Sequence, residues 1–304
     1  MSNAPNIGRY TMITRRGRGH GLFALEDIPS GTPILTKVAL FIIRNIDEEF
    51  LDGNVRAIQG KARQHPEFRQ LSCPWTRRTD RGRFEINNSH VSTNADDTVN
   101  RGIFLQASRI NHSCTPNAYF TWNHEIERLI VYAINNMARN DEILVSYHTN
   151  DYYMTKIQRQ AEFEETYGFH CTCQACQTDT EFGIASDVRR SRVRILDDRI
   201  HQNQERDSQR QRSQQLSDIS ELLLLIRGEC LIYPQLSDTY GYLVKWFRRE
   251  LEQIGTETDN NAHVALRAGA LQIIQKKLEL DVMCTGNNSP VVEETLMLFE
   301  DFEE

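Results

Sequence analysis

Apolar positions come in short β-favouring runs through the first half of the chain and recur every three to four residues through the last third. That pattern predicts a β-rich N-terminal part followed by a helical one. Arg9 to Thr14 is expected as a strand, then a glycine-rich turn from Arg16 to Gly21. Leu22 to Leu25 leads into a second turn at Pro29-Ser30-Gly31, and Pro33 to Arg44 carries a β-favouring apolar run. From Asn45 to about Asn100 the signal changes. Glu48 to Phe68 reads as helical, whereas Leu71 to Thr98 is polar and irregular, with Pro74, Gly82 and the pair Asn87-Asn88. This span is expected to be an insertion rather than part of the sheet. β character returns at Ala118 to Trp122, Leu129 to Ile134 and Ile143 to Ser146, the last beyond a polar turn at Arg139-Asn140-Asp141-Glu142.

Beyond residue 180 the periodicity is helical. Asp187 to Ile200 is a basic amphipathic stretch, and His201 to Gln215, almost free of apolar residues, is expected as a linker or a solvated helix. Leu216, Ile219, Leu222, Leu223 and Ile226 mark the next helix, and Tyr240, Leu243, Val244, Phe247 and Leu251 another that ends near Gly255. Val264 to Leu280 gives a third. Ser289 as N-cap with Pro290 at the first helical position starts the last. The helices could pair as in tetratricopeptide repeats, although no repeat signature is present. Their apolar stripes need a partner surface, expected on the N-terminal part, with an independent bundle as the alternative. The tail Glu300 to Glu304 reads as a solvated acidic end.

Composition narrows the class. With 304 residues, 39% of them hydrophobic, the chain can bury cores for two domains. It holds no run of eighteen apolar residues that would span a membrane, and Met1 to Tyr10 carries no apolar stretch of signal-peptide type. A formal charge of −7 argues against coating nucleic acid by charge and fits an enzyme acting on basic protein segments. Seven cysteines without a secretion signal point to a reducing compartment, nuclear or cytoplasmic, where clustered thiols bind metal. Cys171, Cys173 and Cys176 are spaced C-x-C-x-x-C, three thiols for a zinc ion that needs four ligands. Cys114 is the candidate for the fourth. The alternative is four unrelated core cysteines.

Gly17-Arg18-Gly19-His20-Gly21 invites a nucleotide-binding reading, but a dinucleotide loop follows a strand and opens a helix. Here Leu22-Phe23-Ala24 continues into a strand, which disfavours a phosphate cradle and a Rossmann-type loop. The glycines either admit a ligand close to the backbone or form a plain tight turn.

Four stretches together resemble the SET-domain protein lysine methyltransferases. Residues Arg16 to Ala24 are similar to that family's first cofactor-binding motif. Arg109-Ile110-Asn111-His112-Ser113-Cys114-Thr115-Pro116-Asn117 resembles its signature, and Asp141 to Tyr147 the strand that ends in its active-site tyrosine. The cysteine cluster is similar to its post-SET zinc site. Order and spacing agree over roughly residues 8 to 180. A split SET region followed by helices is similar to the SMYD-like subgroup. The sole cysteine between Val38 and Leu105 is Cys73, so that subgroup's MYND zinc module is expected to be absent.

The resemblance implies an α+β fold: short β-sheets of SET type with a helical insert, a zinc-bound post-SET segment and an all-helical C-terminal domain. The corresponding boundaries are 1–148 for the SET domain (insert about 45–100), 149–180 for the zinc segment and 181–304 for the helices. It implies S-adenosylmethionine as cofactor beside zinc, and transfer of a methyl group to lysine in a histone tail or other basic protein segment, without direct nucleic-acid binding. Arg18, Gly19, His20, Gly21, Asn111, His112, Tyr147 and Phe169 would hold the cofactor. Tyr147 would orient the amine at the base of a channel walled by Tyr167 and Phe169, and Cys114, Cys171, Cys173 and Cys176 would hold zinc. Asn117 is expected to tie down the turn after Pro116. A second reading is a catalytically silent SET-like binding protein that keeps both sites.

Overall fold

Strands Tyr10–Arg15 (β1) and Gly19–Ala24 (β2) pair antiparallel, with Thr14 opposite His20 and Arg15 opposite Gly19. The structure, a computed structural model, describes residues 8–15, 19–44, 46, 54–74, 78–91, 99–148, 152–202, 208–254 and 261–303. The chain divides into two compact units, residues 1–147 with 157–171, and 148–156 with 172–304.

Among its described residues the first unit holds three small sheets. Pro33–Lys37 (β3) and Phe41–Ile43 (β4) follow β2. Helices Val55–Gln64 (α1) and Asp80–Asn87 (α2) come next, then Asn88–His90 (β5), Arg101–Ile103 (β6), Asn111–His112 (β7), Ala118–Asn123 (β8), Arg128–Ala133 (β9) and Glu142–Val145 (β10). One sheet has the order β1-β2-β10-β7, the second β3-β9-β8, the third β4-β6-β5. In the first, β10 runs antiparallel to β2 and parallel to β7, with Leu144 opposite Asn111 and Val145 opposite His112. Leu22, Leu35, Phe104, Ile110, Leu129, Val131, Ile143 and Val145 pack into one core. The fold is α+β, as expected.

The stretch expected as an insertion outside the sheets is partly sheet. β5 pairs with β6, and Phe41, Ile58, Phe68, Phe84 and Ile103 share a second core. The polar region before it is ordered by α2. Thr79 caps that helix by accepting from the Gly82 amide at 3.0 Å, and Phe84 is fully buried. Local pattern hid β5 because its residues, Asn88-Ser89-His90, have no apolar alternation; its pairing comes from the neighbouring strand. The glycine-rich turn is likewise shorter than expected, since β2 begins at Gly19. Helix Lys156–Tyr167 (α3) was not signalled either, because it buries only Arg159 and Phe163 and exposes Ile157.

The second unit is helical: Glu181–Gln202 (α4), Gln209–Gly228 (α5), Gln235–Ile254 (α6), Asn261–Thr285 (α7) and Pro290–Glu303 (α8), each packed on the next through α4 to α8. Val244, Ala270, Ile274 and Phe302 form a core across α6, α7 and α8. Of the polar stretch expected as a linker or solvated helix, residues 203–207 lie outside the described ones. Its later part is a helix solvated at Arg210, Ser213 and Gln214 but buried at two positions. Ser208 and Gln211 make a capping box, Arg212 and Gln215 are buried, and the Trp246 indole donates to the Arg212 carbonyl at 3.0 Å. Both find partners on α6, Arg212 in Glu250 and Gln215 in Arg249, so neither is buried unpaired. No helix among the described residues is long and apolar enough to cross a membrane.

Candidate active site

The parallel pairing of β7 with β10 brings the two motifs into one place. Asn111 and His112 stand beside Leu144 and Val145, two residues before Tyr147. Asn117 fixes that arrangement. Its side chain accepts from the Leu144 amide at 2.7 Å and donates to the Glu142 carbonyl at 2.9 Å. The residue therefore ties the turn after Pro116 to β10.

Among the described residues of the glycine loop, Gly21 is the one brought against Asn111. An added Cβ at Gly21 would stand 2.6 Å from Glu142 Oε1 and 2.9 Å from Asn111 Nδ2. Its backbone is not in the left-handed region, so glycine is required there for space alone. Two side chains of the protein thus approach Gly21 closely. Gly19 (φ +71°) meets nothing within 4 Å among the described residues, and His20 Nδ1 lies 2.9 Å from Thr14 Oγ1. Arg18 lies outside the described residues. Gly21→Ala should destabilise the protein by about 1–3 kcal/mol through overpacking. Denaturant unfolding measures this, and an unchanged midpoint would contradict the close fit.

His112 is held from both ring nitrogens. Nδ1 accepts from the Tyr147 amide at 2.9 Å, which leaves the ring proton on Nε2, 3.3 Å from Cys114 Sγ. Around it gather aromatic rings. Centroids lie at 5.2 Å to Tyr147, 4.3 Å to Phe163 and 6.3 Å to Phe169. Tyr147 is 4.9 Å from Tyr167 and 6.4 Å, edge-on, from Phe169, which stacks on Phe163 at 5.2 Å. Gly168 makes this possible. With φ +75° it ends α3 and returns its amide to the Phe163 carbonyl at 2.9 Å, turning Phe169 back toward Tyr167.

The Tyr147 hydroxyl donates to the Ile110 carbonyl at 2.8 Å. Burial pushes this phenol far above its usual range, with Tyr167 and Glu142 adding to the rise. Burial also pushes Tyr167 up to about 12. Both rings are neutral hydrogen-bonding groups at any ordinary pH, not bases.

Cys114, Cys171, Cys173 and Cys176 form a group whose sulfurs lie within 4.8 Å of one another. Cys114 and Cys171 stand 3.9 Å apart. Around a tetrahedral zinc with bonds of about 2.3 Å, neighbouring sulfurs are about 3.8 Å apart, so the spacing fits such an ion. Gln160 of α3 braces the group, since its side-chain amide donates to the Cys171 carbonyl at 2.7 Å and accepts from the Cys171 amide at 2.9 Å. Sequence spacing signalled neither Gln160 nor Phe163. Glu142, within the Asp141 to Tyr147 stretch, carries no sequence signal of its own although it bonds Asn111 at 2.7 Å.

The profile of the SET domain matches residues 19–148, and this part of the chain is a SET domain. The fission-yeast protein named histone-lysine N-methyltransferase set5 is 29% identical over 192 residues, 62% of this chain and 57% of its own length. Histone-lysine N-methyltransferase ASHR1 of Arabidopsis thaliana is 34% identical over 92 residues, 30% of this chain and 18% of that one. Human histone-lysine N-methyltransferase SMYD3 is 32% identical over 94 residues, 31% of this chain and 21% of that one. The chain thus spans little more than half of the first of these relatives and about a fifth of the other two.

Proposed function

We propose that this chain is an S-adenosylmethionine-dependent protein-lysine N-methyltransferase acting on a basic protein segment, a histone tail among the candidates. The observation that supports this reading best is the gathering of Tyr167, Phe169 and His112 around the buried Tyr147 ring at the junction of β7 and β10. The names of the three relatives, all histone-lysine N-methyltransferases, agree with it.

The cofactor, when bound, supplies a methyl group on a sulfonium. Asn111, His112 and the β2 backbone at Gly21 are the residues that would hold it, with Gly19 and His20 next along the same strand and Arg18 proposed from the motif alone. The Asn111 side-chain oxygen, for which no donor is found among the described residues, is a fitting acceptor for the cofactor's ammonium. No side chain need act as nucleophile, because the substrate amine attacks. What the protein must do is align a neutral amine and keep water away.

Tyr147 suits that task. Because its proton goes to Ile110, its oxygen lone pairs remain to accept an amine N–H. Tyr167 and Phe169 would wall the channel, where desolvation lowers the lysine pKa from its usual value of about 10.4. The zinc held by four cysteines would have a closed, structural coordination shell.

The rate of transfer should therefore rise with pH as the lysine is deprotonated. It should show no descending limb from tyrosine ionisation, since both phenols are raised, Tyr167 to about 12. Initial rates at saturating cofactor across neutral to mildly alkaline pH, with folding monitored in parallel, test this. A fall in rate while the fold persists would contradict it.

Incubation with methyl-labelled cofactor and mixed protein substrates separates the two readings. Label on lysine supports transfer. Cofactor bound to folded, zinc-loaded protein with no label on any substrate would favour a SET-like binding protein.

A further inference from the structure

We infer that Glu142 is a positioning residue for the cofactor site, acting through Asn111; this rests on the reading that Asn111 holds the cofactor. Three strands of one sheet meet at this point: β2 contributes Gly21, β7 Asn111 and β10 Glu142. The Asn111 amide nitrogen donates to Glu142 Oε1 at 2.7 Å. The orientation of that amide is chemically forced, because a carbonyl oxygen at the same distance from a carboxylate would be repelled. Fixing Nδ2 on Glu142 turns Oδ1 the other way, where among the described residues it meets no donor. The asparagine is thereby made an acceptor, suited to a ligand that offers an ammonium or another N–H.

Several features hold Glu142 to this task. Its side chain is 11% exposed, and its backbone carbonyl is bonded by Asn117 at 2.9 Å. Gly21 leaves room for the pair, since any Cβ would intrude on both partners. Arg15, half exposed and 3.9 Å from Oε2, adds little by comparison. Without Glu142 the Asn111 amide can rotate, and half of its orientations would present an N–H donor to a cationic group.

The test is a double-mutant cycle read as S-adenosylmethionine affinity by calorimetry, with thermal unfolding of each zinc-loaded variant alongside. Asn111→Ala and Glu142→Ala should each weaken binding about tenfold or more, the range for a hydrogen bond to a charged group. The double variant should be no weaker than Asn111→Ala alone, because Glu142 acts only through the residue removed. Glu142→Gln keeps an acceptor oxygen for Nδ2 and should restore most of the affinity. Additive losses, with Glu142→Gln as weak as Glu142→Ala, would overturn the inference and make Glu142 a direct partner of the ammonium. Wild-type affinity in a folded Glu142→Ala protein would overturn it as well. Failure of the wild-type protein to bind the cofactor would overturn this inference and the functional reading together, whereas the other two outcomes leave that reading standing.

Discussion

Cys173→Ser protein should purify without its full complement of zinc and lose the fold of the segment from Tyr167 to Cys176. Four sulfurs within 4.8 Å of one another, three of them buried, are expected to bind one zinc per chain. Cys173 is the informative one to change. It is the partly exposed member of the group, so serine there removes a ligand while disturbing little packing. Structural zinc contributes on the order of 10 kcal/mol to a site that is unformed in the unfolded chain. Against a total stability of about 5–15 kcal/mol, its loss is decisive. Elemental analysis should give near-stoichiometric zinc in the wild type and clearly less in the variant. Full zinc content in a folded Cys173→Ser protein would mean that the ligand set is wrong. Because Gln160 clamps the Cys171 backbone, and Tyr167 and Phe169 lie just before that cysteine, loss of metal should also open the aromatic enclosure.

Tyr147→Phe should behave in the opposite way, keeping the fold and slowing the chemistry. The substitution preserves the ring packed against His112 and Tyr167 and removes one hydroxyl. Losing one positioned polar group in a dry site costs ~3 kcal/mol, or about a hundredfold in rate. The Ile110 carbonyl also loses its donor, a stability cost of about 1–3 kcal/mol. Cofactor affinity should stay close to that of wild type, whereas Asn111→Ala should weaken it first. Calorimetry and methyl incorporation on one substrate separate the two. Unchanged turnover in Tyr147→Phe would remove the residue from the mechanism, and weakened cofactor binding without a rate defect would reassign it to the cofactor site.

The parts of the site legible in the sequence are those whose chemistry is local. Cys171, Cys173 and Cys176 are marked by spacing, and Asn111-His112 and Tyr147 by motif. What joins them is not local. β7 holds just two residues and becomes a strand because β10 lies alongside it. Glu142 gains a role only when Asn111 and Gly21 arrive from other strands. Phe163 and Gln160 sit on α3, whose buried face is too narrow to leave a periodic trace. The glycine loop is harder to read for a related reason. Missing side chains at glycine signal close approach, but sequence cannot say whether a ligand or a neighbouring residue does the approaching, and at Gly21 it is the Asn111–Glu142 pair.

The central claim is that this chain moves a methyl group onto lysine, and mass spectrometry of the substrate tests it most directly. Zinc-loaded protein incubated with S-adenosylmethionine and an array of lysine-bearing peptides is expected to add methyl mass on a lysine side chain, with the Tyr147→Phe variant about a hundredfold slower on the same peptide. Methyl mass on a residue other than lysine, or none on any peptide or protein while calorimetry finds the cofactor bound, would contradict it.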